Sequence, residues 1–309
     1  MFFGLADGQE GPRAVLRYLF SILLFCVAYG CASSDTLYLK SENFDSRIKH
    51  VVIHYTSADF TESLRLLAKA SDYPVSAHYL IPEGGSSSKS IPLTPLMLVQ
   101  ENFRAWHAGR SKWGRYSELN SSSIGIELVN ESGCSKPIEE LLTIDELSSS
   151  CTFLEYDPDQ ILELIKLMEG ISERYPDLEP INIVGHSDIA PSRKVDPGPL
   201  FPWKQLYEAG FGIWYEKSDV ELFREVFDAR LPTVDELQKE MLVLGYPIEL
   251  SGAEDLQSQM VVRSFQMRFR SDKYDGFFDA ETAAILYLSL IHISEPTRPL
   301  YISYAVFCL

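Results

Sequence analysis

Residues 45–217 are predicted to form one mixed α/β domain, and three observations carry that expectation. Short apolar runs of strand length alternate with segments of helical period. The helical segments open on residues suited to capping. The span of about 170 residues is also long enough to bury a core without help from a metal.

Taken in order, Ile48 to Tyr55 is an apolar run that begins the domain, after a polar tether over 31–44. Asp59 and Glu62 stand at capping-box spacing before a helix whose Leu64, Leu67 and Ala68 share a face. Val75 to Ile81 and Ile91 to Glu101 read as strands around the turn Glu83-Gly84-Gly85-Ser86. In Ser123 to Val129 a period of two puts Ile124, Ile126 and Leu128 on one side and Glu127 on the other. Asp157-Pro158 opens a helix in which Ile161, Leu164, Ile165, Met168, Ile171 and Tyr175 recur at helical spacing. Beyond it, 218–232 is a charged amphipathic linker. Residues 233–287 then suggest a small domain of three short helices, marked by Leu237 and Met241, by Val261 and Phe265, and by Thr282 and Ile285.

Both ends are set apart. Arg13 and Arg17 precede an apolar stretch, Tyr18 to Ala28, shorter than a bilayer span and read as the core of a signal peptide over 1–30. The segment Ala28-Tyr29-Gly30-Cys31-Ala32-Ser33 resembles a bacterial lipoprotein signal, which implies that Cys31 is lipidated. Ala28 stands where such signals more often carry leucine, and Asp7 and Glu10 are unusual in a leader. At the other end, 288–309 breaks the preceding pattern, and Leu288 to Arg298 back-translates to a transposase adapter used in sequencing libraries. It is expected to be read-through.

The net charge of −17 is unchanged by removing both ends, because their acidic and basic residues cancel. An acidic exported protein is a poor partner for nucleic acid. Of the cysteines, Cys134 and Cys151 remain. In an oxidising compartment they are expected to pair, closing a loop of about 18 residues worth roughly 3 kcal/mol on chain-entropy grounds; two free thiols are the alternative.

The chemistry concentrates in His54, His186 and Asp196. The imidazoles end apolar runs, and the carboxylate lies in a stiff Pro- and Gly-punctuated loop, Ala190 to Pro199. Two neutral imidazoles and a carboxylate suit Zn²⁺ and leave a fourth tetrahedral position free. Glu127 is a candidate base and Lys194 a candidate oxyanion partner, projecting with Asp196 to one side of an extended segment. Singly, each residue has an ordinary structural or surface explanation. Their conjunction carries the signal.

Five stretches add a resemblance: Val52-Ile53-His54-Tyr55-Thr56, Val75-Ser76-Ala77-His78-Tyr79, Ala105-Trp106-His107-Ala108-Gly109, Ser123-Ile124-Gly125-Ile126-Glu127, and Val184-Gly185-His186-Ser187-Asp188 through Lys194-Val195-Asp196-Pro197-Gly198-Pro199. Together, over residues 45 to 215, they resemble the zinc-dependent N-acetylmuramoyl-L-alanine amidases of the amidase-2 group, most of all its outer-membrane lipoprotein branch. The resemblance implies a mixed central β-sheet flanked by helices, with His54, His186 and Asp196 on zinc, Glu127 as general base and Lys194 stabilising the intermediate. It implies cleavage between N-acetylmuramic acid and L-alanine in peptidoglycan or muropeptides, for wall turnover or recycling. It also places the protein in the periplasm, lipid-anchored, at the outer membrane; a monomer is expected. His107 and Trp106 are candidates to line the substrate groove. His78 reads as buried and hydrogen-bonded, and Trp113 and Trp203 as either core aromatics or sugar platforms. Leu244-Gly245-Tyr246 and Asp275 to Thr282 resemble a three-helix peptidoglycan-binding domain, which implies local concentration on the wall. Rival readings are a non-catalytic peptidoglycan-recognition protein and a non-haem iron enzyme.

Overall fold

The computed structural model describes residues 37–84 and 93–294, with side chains to 291. The signal region 1–30, Cys31, the start of the tether, the turn residues Gly85 and Ser86, the start of the strand expected from Ile91, and residues 295–309 lie outside the described residues. Residues up to Asp45 group separately from the compact unit that starts at Ser46, and 37–45 carry no regular secondary structure.

Five strands make the main sheet, in the order β3-β2-β6-β1-β9. Its central strand is β6 (Ser123–Leu128), paired in parallel with β1 (His50–Tyr55), which pairs in parallel in turn with β9 (Ile183–Gly185) at one edge. On the far side β2 (Tyr79–Ile81) pairs in parallel with β6, and β3 (Leu96–Met97) closes the edge antiparallel. Two-residue ribbons complete the strands: β4 (Lys112–Trp113) with β5 (Tyr116–Ser117), and β7 (Gly133–Cys134) with β8 (Cys151–Thr152). The expected strands 75–81 and 91–101 are therefore much shorter. Ser76 N instead donates to Trp106 O, which takes Val75 to Ala77 off the sheet. Pro95 has no N–H for a ladder, and pairing starts only after it.

Helix α1 (Phe60–Ala68) is capped by Asp59, whose carboxylate accepts from Glu62 N. Helix α2 (Ile144–Ser150) lies inside the Cys134–Cys151 insertion. Helix α3 (Pro158–Arg174) is capped by Asp157 and lays Ile161, Leu164, Met168 and Ile171 against Val51, Ile53, Ile124 and Ile126 of the sheet. Gln160, in the first turn of α3 and buried, donates to Ile81 O and Val129 O and ties β2 to the end of β6. The opposite face of the sheet, with Val52, His54, Gly125 and Glu127 in register, is left for the site.

Three differences from expectation concern the C-terminal third. The stretch taken as a linker is helix α6 (Lys217–Ala229), which buries Val220, Phe223 and Phe227. The three expected helices are α7 (Val234–Leu244), α8 (Leu256–Phe269) and α9 (Ala280–Ser294), counting past the four-residue α4 (His186–Ile189) and α5 (Trp203–Glu208). They do not form a core of their own. Leu237, Met241, Tyr246, Phe265 and Ile285 share one apolar cluster with Val52, Trp113, Val184 and Ile189 of the α/β part. Helix α9 also runs through the expected break at residue 288, and Leu288 is buried.

Candidate functional site

Parallel register puts His54 directly opposite Glu127, each one residue from the carboxyl end of its strand. In-register residues of neighbouring strands project to the same face, so both side chains rise on one side of the sheet. His186 follows β9 as the first residue of α4, and Asp196 returns beside it: Ser187 N donates to Asp196 O at 2.8 Å. Ligand sites of open α/β sheets form at this carboxyl edge.

Three donor atoms converge there. His54 Nδ1 lies 3.0 Å from His186 Nδ1 and 2.9 Å from Asp196 Oδ2, and His186 Nδ1 lies 3.1 Å from the same oxygen. All three residues are buried.

Hydrogen bonding around them fixes the tautomers. Ser123 Oγ donates its hydrogen to Leu119 O at 2.6 Å, so it must accept from His107 Nε2 at 3.1 Å. Burial holds the His107 ring well below the usual histidine range, so it is neutral and its Nδ1 is bare. That nitrogen accepts from His54 Nε2 at 2.9 Å, which turns His54 Nδ1 toward His186 and Asp196. His186 Nε2 donates to Ala108 O at 3.1 Å; burial lowers its pKa to about 4, and its Nδ1 too is bare at neutral pH. Burial opposes ionisation of Asp196, yet the adjacent His186 and His54 more than offset it and hold the carboxyl well below its usual range.

Two imidazole nitrogens and a carboxylate oxygen therefore converge within 3.1 Å of one another. A cation at their centre satisfies all three, as the nitrogen and oxygen chemistry of zinc sites requires. A tetrahedron with bonds of about 2.0–2.1 Å has donor separations of about 3.4 Å, a few tenths wider than the triangle here. The outer-ring partners, Ala108 O and His107, are of the kind that orient metal-bound histidines.

Glu127 stands beside this centre. Burial first, then Asp196, pushes its pKa up to about 7 against the pull of His54 and Lys194, and Oε2 has no hydrogen-bond partner. Lys194 lines the same cavity, of about 650 Å³, with Glu127 and Asp196. Its backbone is not the extended segment expected: Lys194 N donates to Ala190 O in a turn.

His107 also lines the cavity, but His54 and Ser123 occupy both its nitrogens, so none is left for a substrate. Its ring rests on Gly125, where a Cβ would collide with it. Trp106 is half-exposed at the mouth, and His78 is buried with its nitrogens on Gly125 N and Phe103 O. Trp113 and Trp203 are buried and offer no sugar platform.

Several contributors escaped the sequence reading. Asn120 Oδ1 accepts from both His107 N and Ala108 N, and Arg193 Nη2 donates to Ala108 O at 2.7 Å. One wall of the cavity is the insertion, through Lys136, Pro137, Ile138 and Glu139, whose base the Cys134–Cys151 disulfide closes. The Asn120 and Arg193 contacts reach across 12 to 85 residues and no local motif announces them, whereas the insertion follows directly on the Glu127 strand and reads from the sequence as a rim.

Fold and site together define a class: a mixed α/β hydrolase with a three-donor centre and a carboxylate beside it. Residues 44–199 match the Amidase_2 family, N-acetylmuramoyl-L-alanine amidase. The chain is 40% identical over 240 residues to the N-acetylmuramoyl-L-alanine amidase AmiD of Escherichia coli (strain K12), covering 77% of this chain and 81% of that protein. The crystal structure of AmpDh3 from Pseudomonas aeruginosa is similar at a TM-score of 0.74 and 39% identity, over 85% of this chain and 98% of that one. The E. coli AmiD complex with anhydro-N-acetylmuramic acid-L-Ala-D-gamma-Glu-L-Lys is similar at a TM-score of 0.68 and 36% identity, over 82% and 92% respectively. The chain belongs to the N-acetylmuramoyl-L-alanine amidase family. It is an enzyme that hydrolyses the amide between N-acetylmuramic acid and L-alanine, which sets aside the reading as a non-catalytic recognition protein.

Proposed function

We propose that this amidase is zinc-dependent, with His54, His186 and Asp196 as the ligands, Glu127 as the proton carrier and Lys194 as the oxyanion partner. The observation that carries the reading is the convergence of three buried candidate ligand atoms, two imidazole nitrogens and a carboxylate oxygen, within 3.1 Å of one another. When bound, zinc supplies Lewis acidity that makes hydroxide available near neutral pH. Glu127 takes the proton of the attacking water and delivers it to the departing L-alanine nitrogen; a carboxylate that titrates near the working pH does both. The Lys194 ammonium stabilises the oxyanion as the lactyl carbonyl becomes tetrahedral. Water and amide thus become a lactyl carboxylate on the sugar and a free amino terminus on the peptide.

The substrates in this reading are muropeptides of the kind bound by the E. coli relative, whose complex holds an anhydro sugar. Lipidation at Cys31 would anchor the protein in the periplasm at the outer membrane, and the helical region 233–287 would hold it on the wall. Mass spectrometry of muropeptides and sacculi incubated with the purified protein, with and without chelator, tests the core of this. Zinc-restored release of peptides with a free L-alanine amino terminus is expected. Full turnover after complete removal of metal would defeat it.

A further inference from the structure

A second buried polar cluster lies directly behind the first. Asp188, on α4 two residues after His186, is 1% exposed, and three groups bond its carboxylate. Gly185 N donates to Oδ2 at 2.8 Å, Arg268 Nη1 donates to the same oxygen at 2.8 Å, and Tyr246 OH donates to Oδ1 at 2.7 Å. Arg268 Nη2 donates in turn to Ile183 O on β9 at 3.0 Å, and the guanidinium lies 4.2 Å from the Trp203 ring centroid. Only Nε of that side chain lacks a partner.

Two of the three groups holding Asp188 come from the C-terminal helices: Arg268 from α8 and Tyr246 from just after α7. What they hold is a helix of four residues, too short to fix its own orientation. That helix presents His186 at its first position, and through Ser187 N it also fixes the backbone of Asp196. Gly185 seals the junction, since a Cβ there would press on Pro197 Cδ at 2.7 Å.

We infer that Arg268 and Tyr246 are positioning residues for the metal centre, acting through Asp188, so that the helical region forms part of the catalytic apparatus. This rests on the metal reading above. The requirement is one of precision: ligand atoms need to be held within about 0.5 Å of productive geometry, and partners behind the ligands typically tune metal affinity 10- to 100-fold.

Tyr246→Phe is the sharpest probe, because the ring keeps its packing on Trp113 and Phe265 and only the hydroxyl is lost. In the full-length protein, metal affinity is measured by competition with a chromophoric chelator, and ligand geometry by the visible absorption of the Co²⁺-substituted form. Tyr246→Phe is expected to bind metal about 10-fold more weakly and to shift the cobalt bands. Arg268→Lys, which keeps the charge but loses the fork, is expected to do the same. Leu237→Ala serves as control: it hollows the helical core without touching Asp188, and should lower Tm while leaving affinity and bands in place. Wild-type affinity and bands in Tyr246→Phe overturn the inference, as does a Leu237→Ala protein that shifts both as far. If His186→Ala binds metal as the wild type does, the metal reading itself fails, and the inference with it.

Discussion

The two buried polar clusters on either side of α4 are made of similar residues and differ in how their atoms are satisfied. Around Asp188 both carboxylate oxygens receive donors. Around Asp196 one oxygen and two imidazole nitrogens crowd within 3.1 Å of each other, and Glu127 Oε2 nearby is buried without a partner. A folded chain does not leave such groups unpaired without cost. The satisfied cluster is architecture, and the unsatisfied one is waiting for something that the chain does not itself supply. Burial and residue type alone do not separate the two.

The largest expected effect is on turnover. Asp196→Ala should abolish metal binding and cut activity by at least about four orders of magnitude, as expected when several kcal/mol of Lewis-acid stabilisation is lost. Chelator competition with a muropeptide assay checks both. Next, Glu127→Gln should retain full metal stoichiometry while kcat falls about 10²- to 10⁴-fold, the range of a lost proton carrier. A near-normal rate in that variant removes Glu127 from the mechanism.

Stability should divide the clusters in the opposite sense. With metal stripped by chelator, Asp188→Asn should cost about 3–5 kcal/mol in denaturant unfolding, because it leaves Arg268 buried without its counter-charge. Asp196→Asn under the same conditions should cost less than Asp188→Asn, because its partners are imidazoles that can lose their charge, whereas Arg268 cannot. Equal losses would erase the distinction. A smaller effect than at Asp188 is expected from Gly125→Ala, where the added methyl displaces the His107 ring and costs about 1–3 kcal/mol by overpacking. Loss of the single-proton chain from Ser123 to His54 should appear as altered imidazole signals in proton NMR.

Much of the unsatisfied cluster was legible in the sequence, and little of the satisfied one was. His54, Glu127 and His186 sit at the ends of apolar runs, and strand periodicity alone puts Glu127 on the face away from Ile124 and Ile126. The caps at Asp59 and Asp157 are local hydrogen bonds between residues two or three apart, so spacing reveals them. Arg268 is different. Its partner is 80 residues away, and in a helix with Val261, Phe265 and Phe269 on its apolar stripe an arginine reads as a solvated residue. In fact every residue of α8 from Met260 to Phe269 is buried. The helix is enclosed because α/β residues cover its polar side, and no periodicity within the helix records that. The shared core is hidden for the same reason: α7 shows an apolar face and α9 is apolar nearly all round, but the sequence does not say that these surfaces join Val52 and Val184 in one cluster.

The long sequence span between Asp188 and Arg268 also sets an order of events. A ribosome delivers His54, His186 and Asp196 well before Arg268, and chains fold from the amino end as they emerge. Until α8 has arrived, Asp188 lacks the guanidinium that balances its charge, so a partly made chain carries all three donors without the complete frame that aims them. An enzyme that cuts the cell wall thereby gains its full cutting geometry only after a segment about 70 residues beyond its final metal-ligand candidate has joined the fold.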